Sequence, residues 1–262
     1  MQDAVARVLS VTEHPLPYYS VRLLLPSAYR AAVPGQFVMV QIGDRLEPYL
    51  RRPYSIHDLH VTGDGCEVEL LGKIIGRGTR LLARAAAGDE LRVLGPLGRG
   101  FDLDAGRRVA VVAGGVGSAA LLLLGRALAD RGVRLDFYYG GRAVVDLARH
   151  EVFGEVAAAS RGSLILTTED GSAGARGLVT EPLAERMAAG AYDFTYSCGP
   201  MGLMAALAKL SATHSVGGEA ALETPMGCGY GACLGCAVPH ADGRWALCCK
   251  DGPVFRLDEV RW

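Results

Sequence analysis

Gly227-Cys228-Gly229-Tyr230-Gly231-Ala232-Cys233-Leu234-Gly235-Cys236, followed by the tandem Cys248-Cys249, is the stretch around which this chain is read. Four residues separate the first two cysteines and two separate the next pair, which is the plant-type ligand spacing of an iron–sulfur cluster. The glycines fit that reading, because a loop that wraps a cluster turns sharply and aims its amides at sulfur. A fourth thiolate comes from Cys248 or Cys249. Cys249 is the expected one, since Lys250-Asp251-Gly252-Pro253 follows it as a turn. Zinc fits poorly, because structural zinc draws its thiolates as two close pairs, and here one knuckle holds three. A disulfide framework is also unexpected: the chain has seven cysteines, an odd count, and no secretory segment precedes them.

Upstream of that stretch the chain divides by pattern. Residues 1–103 hold short β-prone runs, Val5–Val11, Tyr19–Leu25, Gln36–Ile42, Tyr54–Ile56, Cys66–Leu71 and Glu90–Leu94, punctuated by proline and glycine. This pattern predicts a small antiparallel β-barrel, with one helix over Thr79–Ala87. Over 104–215 strand and helix alternate. Arg108–Ala113, Arg134–Tyr139, Ser163–Thr167 and Phe194–Ser197 read as strands. A Leu-rich helix to Arg131, Asp146–Ala158, Thr180–Ala189 with Thr180 as N-cap, and Met201–Ala212 read as helices. That is an α/β domain with a mainly parallel sheet. Residues 216–262 are too few for a core of their own, and a metal cluster can supply the missing stability. The fold class is therefore multidomain, an all-β barrel, a central α/β domain and a small C-terminal iron–sulfur segment.

Composition excludes some partners. Twenty-seven basic and 28 acidic residues give a formal charge of −1, so neither nucleic acid nor an anionic membrane is expected. The uncharged run Val109–Gly125 is short for a membrane span and is broken by glycines; strand, turn and helix explain it better. Reduced thiols without an export signal point to the cytoplasm.

Three further motifs carry binding chemistry. Arg51-Arg52-Pro53-Tyr54-Ser55 leaves a barrel loop. Arginine suits a pyrophosphate, Tyr54 a flat ring and Ser55 its polar edge. Leu71-Gly72-Lys73 and Gly78-Thr79 follow, with Thr79 read as an N-cap whose turn can hold phosphate oxygens. Gly114-Gly115-Val116-Gly117 lies between a buried strand and a helix, as a dinucleotide phosphate turn does, but Ala120 stands where a third glycine would fall. Asp136 lies mid-strand, so the usual acidic ribose ligand is missing. Cys198-Gly199-Pro200 ends another strand; Cys198 is either placed at a nicotinamide ring or is a small buried apolar residue. No Ser-His-Asp, paired-carboxylate or metal-histidine set stands out, so no catalytic side chain is assigned and the chemistry is expected to be the cofactors' own.

Taken together these motifs resemble the ferredoxin–NADP reductase superfamily, in which a flavin barrel with R-x-Y-S joins a nicotinamide domain with G-G-x-G and C-G-P. The C-terminal segment, Leu222-Glu223-x-x-Met226-x-Cys228 through Cys249-Lys-Asp-Gly-Pro-Val-Phe255, and Gly95-Pro-Leu-Gly-x-Gly-Phe101 look like the electron-transfer subunits of NAD-dependent (type B) dihydroorotate dehydrogenases. The resemblance implies that Arg52, Pro53, Tyr54, Ser55, Leu71, Gly72, Lys73, Gly78 and Thr79 hold FAD. It places Gly114, Gly115, Gly117, Cys198, Gly199 and Pro200 around NAD, and Cys228, Cys233, Cys236 and Cys249 on a 2Fe-2S cluster. It also implies an FMN-containing catalytic partner that oxidises dihydroorotate for pyrimidine biosynthesis, in a heterotetramer with two subunits of each kind. Ala119-Ala120 departs from the family's proline, Gly72 from its aromatic residue, and the gap from Cys236 to Cys249 is short. NADH is expected over NADPH, because Glu169-Asp170 would repel a 2′-phosphate brought near Arg142. Two alternatives remain: a subunit of a ferredoxin-linked NAD(P)H oxidoreductase or sulfhydrogenase, and a scaffold protein with structural zinc.

Overall fold

A computed structural model describes residues 1–43 and 48–262. The first sheet comprises β1 (Gln2–Glu13), β2 (Tyr18–Leu25), β3 (Phe37–Gln41), β4 (Arg52–Ser55), β5 (Asp58–Thr62), β6 (Gly65–Lys73) and β7 (Glu90–Leu97). All its pairings are antiparallel, in the order β4-β3-β7-β1-β2-β6-β5. The sheet curls as a half-barrel around Val21, Leu23, Val38, Val40, Val68, Leu70 and Val93. Strand β5 was not expected from sequence; only Leu59 and Val61 mark it, with polar neighbours and an edge position. The short helix α1 (Arg77–Leu82) follows β6. Its cap is Gly76, not Thr79. The Thr79 hydroxyl instead accepts from the amides of Ile75 and Gly76, at 3.0 and 3.1 Å.

The second sheet contains β8 (Arg108–Gly114), β9 (Arg134–Gly141), β10 (Leu164–Thr168), β11 (Ala175–Arg176), β12 (Phe194–Cys198) and β13 (Gly217–Ala221). The hairpin strands β14 (Ala237–Pro239) and β15 (Trp245–Leu247) stand apart, and β16 (Val254–Arg256) closes the second sheet. The order is β11-β10-β9-β8-β12-β13-β16, parallel except for β13 with β16. This sheet therefore takes up strands beyond residue 215. Its helices are α2 (Leu122–Asp130), α3 (His150–Ala159), α4 (Thr180–Ala188) and α5 (Met201–His214). Both faces are covered, which is why β8 reads as an unbroken apolar run. Val109, Val111 and Ala113 meet the α2 and α3 side with Phe137 and Phe153; Ala110 and Val112 meet Leu183, Met187 and Leu207 on the other.

Three local expectations change. A 3₁₀ turn over Gly115–Ala120 separates β8 from α2. Asp146 lies in a second 3₁₀ turn, Val144–Asp146, and α3 starts only at His150. Thr180 is the first residue of α4, with Val179 at the cap and no side-chain cap bond.

The core that holds Ala110 and Val112 also contains Phe37, Met39 and Leu97 from the half-barrel and Cys236, Cys248, Cys249 and Phe255 from the C-terminal segment. The cysteine segment is thus packed between the two sheets. Strand β8 pairs with β9 on one side and β12 on the other, so the chain order reverses at β8. A crevice forms at such a point, beyond the carboxyl ends of the strands.

Candidate functional site

Two clefts open there. The first, about 390 Å³, is lined from the half-barrel by Arg52–Ser55, Leu71–Lys73 and Thr79, and from the other side by Cys198 and Leu222–Met226. The residues expected around a flavin are thus brought together, with Gly78 behind them. A Cβ on Gly78 would lie 2.8 Å from Arg52 Nε, so glycine lets the guanidinium cross the start of α1. Arg52 also donates to the Leu50 carbonyl. Arg51 is not its partner in a fork, because it pairs with Asp3 at 2.8 Å. Tyr54 is anchored by a 2.8 Å bond between its hydroxyl and that of Tyr19. Tyr19 also explains Gly72: the two residues are paired on β2 and β6, and a Cβ at position 72 would lie 2.6 Å from the Tyr19 ring. Arginine, hydroxyls and an aromatic edge in one groove suit a flavin nucleotide.

The second cleft, about 740 Å³, is lined by Gly114, Gly115, Gly117, Gly199 and Pro200, together with Gly140, Arg142 and Glu169. Gly117 is required by close approach. A Cβ there would lie 2.4 Å from the Cys198 carbonyl oxygen, so the turn after β8 seats directly on the turn after β12. Thr167 also lines this cleft, and its buried hydroxyl has no partner among the described residues. Asp136 plays no part here; it accepts bonds from Tyr192 at 2.8 Å and from the Ser163 amide at 2.9 Å. Cys198 lines the first cleft rather than the second, and burial pushes its thiol pKa well up.

Sequence reading missed two acidic residues. Glu223 lines both clefts. Asp146 lines the second cleft and accepts bonds from Tyr18 and Lys73, at 2.9 Å each. Asp146 carries no local signal, and Glu223 only its place in the Leu222-Glu223-x-x-Met226-x-Cys228 pattern.

The cysteine loop leaves the first cleft directly at Met226. Gly229 and Gly231 adopt φ of 83° and 89°, and a Cβ on Gly229 would lie 2.5 Å from Met39 Cγ. The loop therefore lies against β3. Phe37, which lines the first cleft, is two residues from Met39 on that strand. Successive residues on one strand face repeat every ~7 Å, so loop and cleft are close neighbours.

Among the described residues no three His, Cys, Asp or Glu side chains converge on one point as for a single ion. The thiols stand as two pairs instead. The Cys233 amide donates to Cys228 Sγ at 3.4 Å, and the Cys233 side chain approaches the same sulfur. Burial opposes ionisation of Cys228, but the Cys233, Tyr230 and Ala232 amides outweigh it and lower the thiol pKa to about 6. Cys236 and Cys249 Sγ lie 3.1 Å apart. Burial and then the Cys236 sulfur push the Cys249 thiol up to about 12, which disfavours two thiolates there unless a cation neutralises them. Two bridged irons take two thiolates each, which fits two pairs better than one tetrahedral ion does. Cys248 points elsewhere, donating to the Leu222 carbonyl at 3.4 Å.

No helix among the described residues is long and apolar enough to cross a membrane. Residues 223–261 match the iron-sulfur cluster binding domain of dihydroorotate dehydrogenase B. The dihydroorotate dehydrogenase B (NAD(+)) electron transfer subunit of Desulforamulus reducens is 38% identical over 261 residues, 98% of this chain and 97% of that one. The subunit of the same name from Bacillus caldolyticus is 38% identical over 232 residues, 87% of this chain and 86% of its own. Among solved structures, a chain of the NADH-dependent reduced ferredoxin-NADP oxidoreductase, described in connection with flavin-based electron bifurcation, superposes with a TM-score of 0.86 at 27% identity, over 98% of this chain and 90% of that one. The flavohem-like FAD/NAD binding domain of nitric oxide dioxygenase from Vibrio cholerae shares the fold, with a TM-score of 0.67 at 20% identity. At 38% identity to these subunits over 87–98% of its length, and with the matching iron-sulfur segment beside the first cleft, this chain belongs to the family of electron-transfer subunits of dihydroorotate dehydrogenase B.

Proposed function

We propose that this chain passes electrons between NAD(H) and a dihydroorotate-oxidising catalytic subunit, by way of FAD in the first cleft and a 2Fe-2S cluster in the cysteine loop. A bound flavin exchanges electrons in pairs as hydride or singly, whereas a cluster exchanges them only singly, so the flavin belongs between nicotinamide and cluster. The observation that carries the reading is the seating of the loop against Met39, two residues from Phe37 of the first cleft. Arg52 and Thr79 would hold the flavin's phosphates and Tyr54 and Ser55 its ring. Gly114–Gly117 and Gly199-Pro200 would receive the dinucleotide. Cys228, Cys233, Cys236 and Cys249 would ligate iron, with Cys249 favoured over Cys248 because Cys248 donates to the Leu222 carbonyl.

The partner would carry FMN and join this chain as a heterotetramer, two subunits of each kind, in the cytoplasm, where the thiols stay reduced. NADH is favoured over NADPH by Glu169 in the lining of the second cleft, while Arg142 is held 3.3 Å from Asp146. A second reading, a ferredoxin-linked NAD(P)H oxidoreductase subunit, draws on the likeness to the NADH-dependent ferredoxin-NADP oxidoreductase chain. The experiment is anaerobic reduction of purified chain, with and without the co-expressed catalytic subunit. Dihydroorotate is expected to bleach the flavin only when that subunit is present. Bleaching without it, or by reduced ferredoxin alone, would reject the proposal.

A further inference from the structure

Asp146 ties the two halves of the molecule together where the clefts meet. Its carboxylate is almost fully buried, with a side-chain exposure of 7%. It accepts from the Tyr18 hydroxyl at 2.9 Å and from Lys73 Nζ at 2.9 Å, and Arg142 Nε lies 3.3 Å away. Tyr18 opens β2 and Lys73 closes β6 of the half-barrel, where they are register partners; Asp146 and Arg142 follow β9 of the parallel sheet. Lys73 Nζ also stands 5.0 Å from the Tyr18 ring centroid. The Tyr18 hydroxyl lies 3.7 Å from where a Cβ on Gly115 would be, and Asp146 Cβ lies 2.8 Å from where one on Gly141 would be. The contact therefore bears on two of the glycine turns that line the second cleft. Lys73 lines both clefts. Burial works against the charged form, but the donors from Lys73 and Tyr18 prevail and hold the carboxyl pKa below the usual carboxylate range.

We propose that Asp146 is a positioning residue for the nicotinamide step, latching the half-barrel to the dinucleotide turns through Lys73 and Tyr18. This inference rests on the electron-transfer reading above. The step it serves moves a hydride, two electrons with one proton, from the dihydronicotinamide, which is oxidised, to the flavin ring, which is reduced. Such transfer depends steeply on the separation and tilt of two rings held by different domains. A buried ion pair that spans the two domains restricts both. An isolated carboxylate at this depth would carry a large desolvation cost, so its partners are part of the design.

The test uses the complete complex with flavin and cluster in place, mixed anaerobically with NADH in a stopped-flow spectrometer. Asp146→Asn is expected to slow NADH-driven flavin reduction about tenfold or more, and to weaken the long-wavelength charge-transfer band. Flavin content should match wild type, and reduction from the dihydroorotate side should keep its rate. Tyr18→Phe keeps the ion pair and should slow the NADH step about threefold, so the proposal stays testable should Asp146→Asn fail to fold. Equal loss from both electron sources would make Asp146 a fold residue only and overturn the latch. An unchanged NADH rate in both variants would do the same. Were the wild-type complex itself inert to NADH, the electron-transfer reading would fall first, and the latch with it.

Discussion

Cys249 Sγ lies 3.1 Å from Cys236 Sγ, while the adjacent Cys248 turns its thiol to the Leu222 carbonyl. Both cysteines sit in the turn that follows β15, closed by the Lys250 and Asp251 amides on the Leu247 carbonyl, and that turn sends the two thiols different ways. Cys249→Ser is expected to abolish the brown colour, the reduced-state paramagnetic signal and the bound acid-labile sulfide. Cys248→Ser should keep all three. Iron and sulfide assays on the two variants decide between them, and cluster retention in Cys249→Ser would overturn the ligand assignment.

Glycines 78 and 117 should respond differently to the same added methyl group. At Gly117 the Cβ meets the Cys198 carbonyl oxygen at 2.4 Å, and backbone there cannot yield. Gly117→Ala should therefore cost about 2 kcal/mol of stability and lower Tm by about 5 °C. At Gly78 the Cβ meets Arg52 Nε at 2.8 Å, and a side chain can swing aside. Gly78→Ala should leave Tm nearly unchanged but loosen FAD about tenfold, by displacing a charged donor. Calorimetry and flavin titration separate the two outcomes.

His57 makes stability depend on pH. It is fully buried between the half-barrel and the parallel sheet. Its Nδ1 lies 3.1 Å from the Ala119 carbonyl, and its Nε2 has no partner among the described residues. Burial lowers its pKa to about 4, against an ordinary 6.5, so the folded protein keeps it neutral. Above about pH 6.5 this has no effect. Between there and pH 4 the unfolded chain takes up a proton that the folded chain refuses, and up to about 3 kcal/mol is lost as pH falls. Denaturant unfolding of wild type and His57→Gln at pH 7.5, 6 and 5 should show a smaller acid loss in the variant. Parallel curves would remove His57 from the account.

What the amino-acid order determined alone was local. Three cysteines at cluster spacing, their glycines, the doubly covered strand at Arg108–Gly114 and the alternation of strand and helix all leave a signature within a few residues, because loop geometry and side-chain periodicity are short-range. The tertiary structure decided the rest. Tyr18 and Asp146 lie 128 positions apart, and Tyr19 fills the space beside Gly72 from another strand. Glu223 gains its place only where the two clefts meet, and the choice within Cys248-Cys249 depends on which way each thiol faces. Contacts of that range impose no spacing on the chain. They arise when separate elements pack against one another, and their energy is realised only once the whole core has formed.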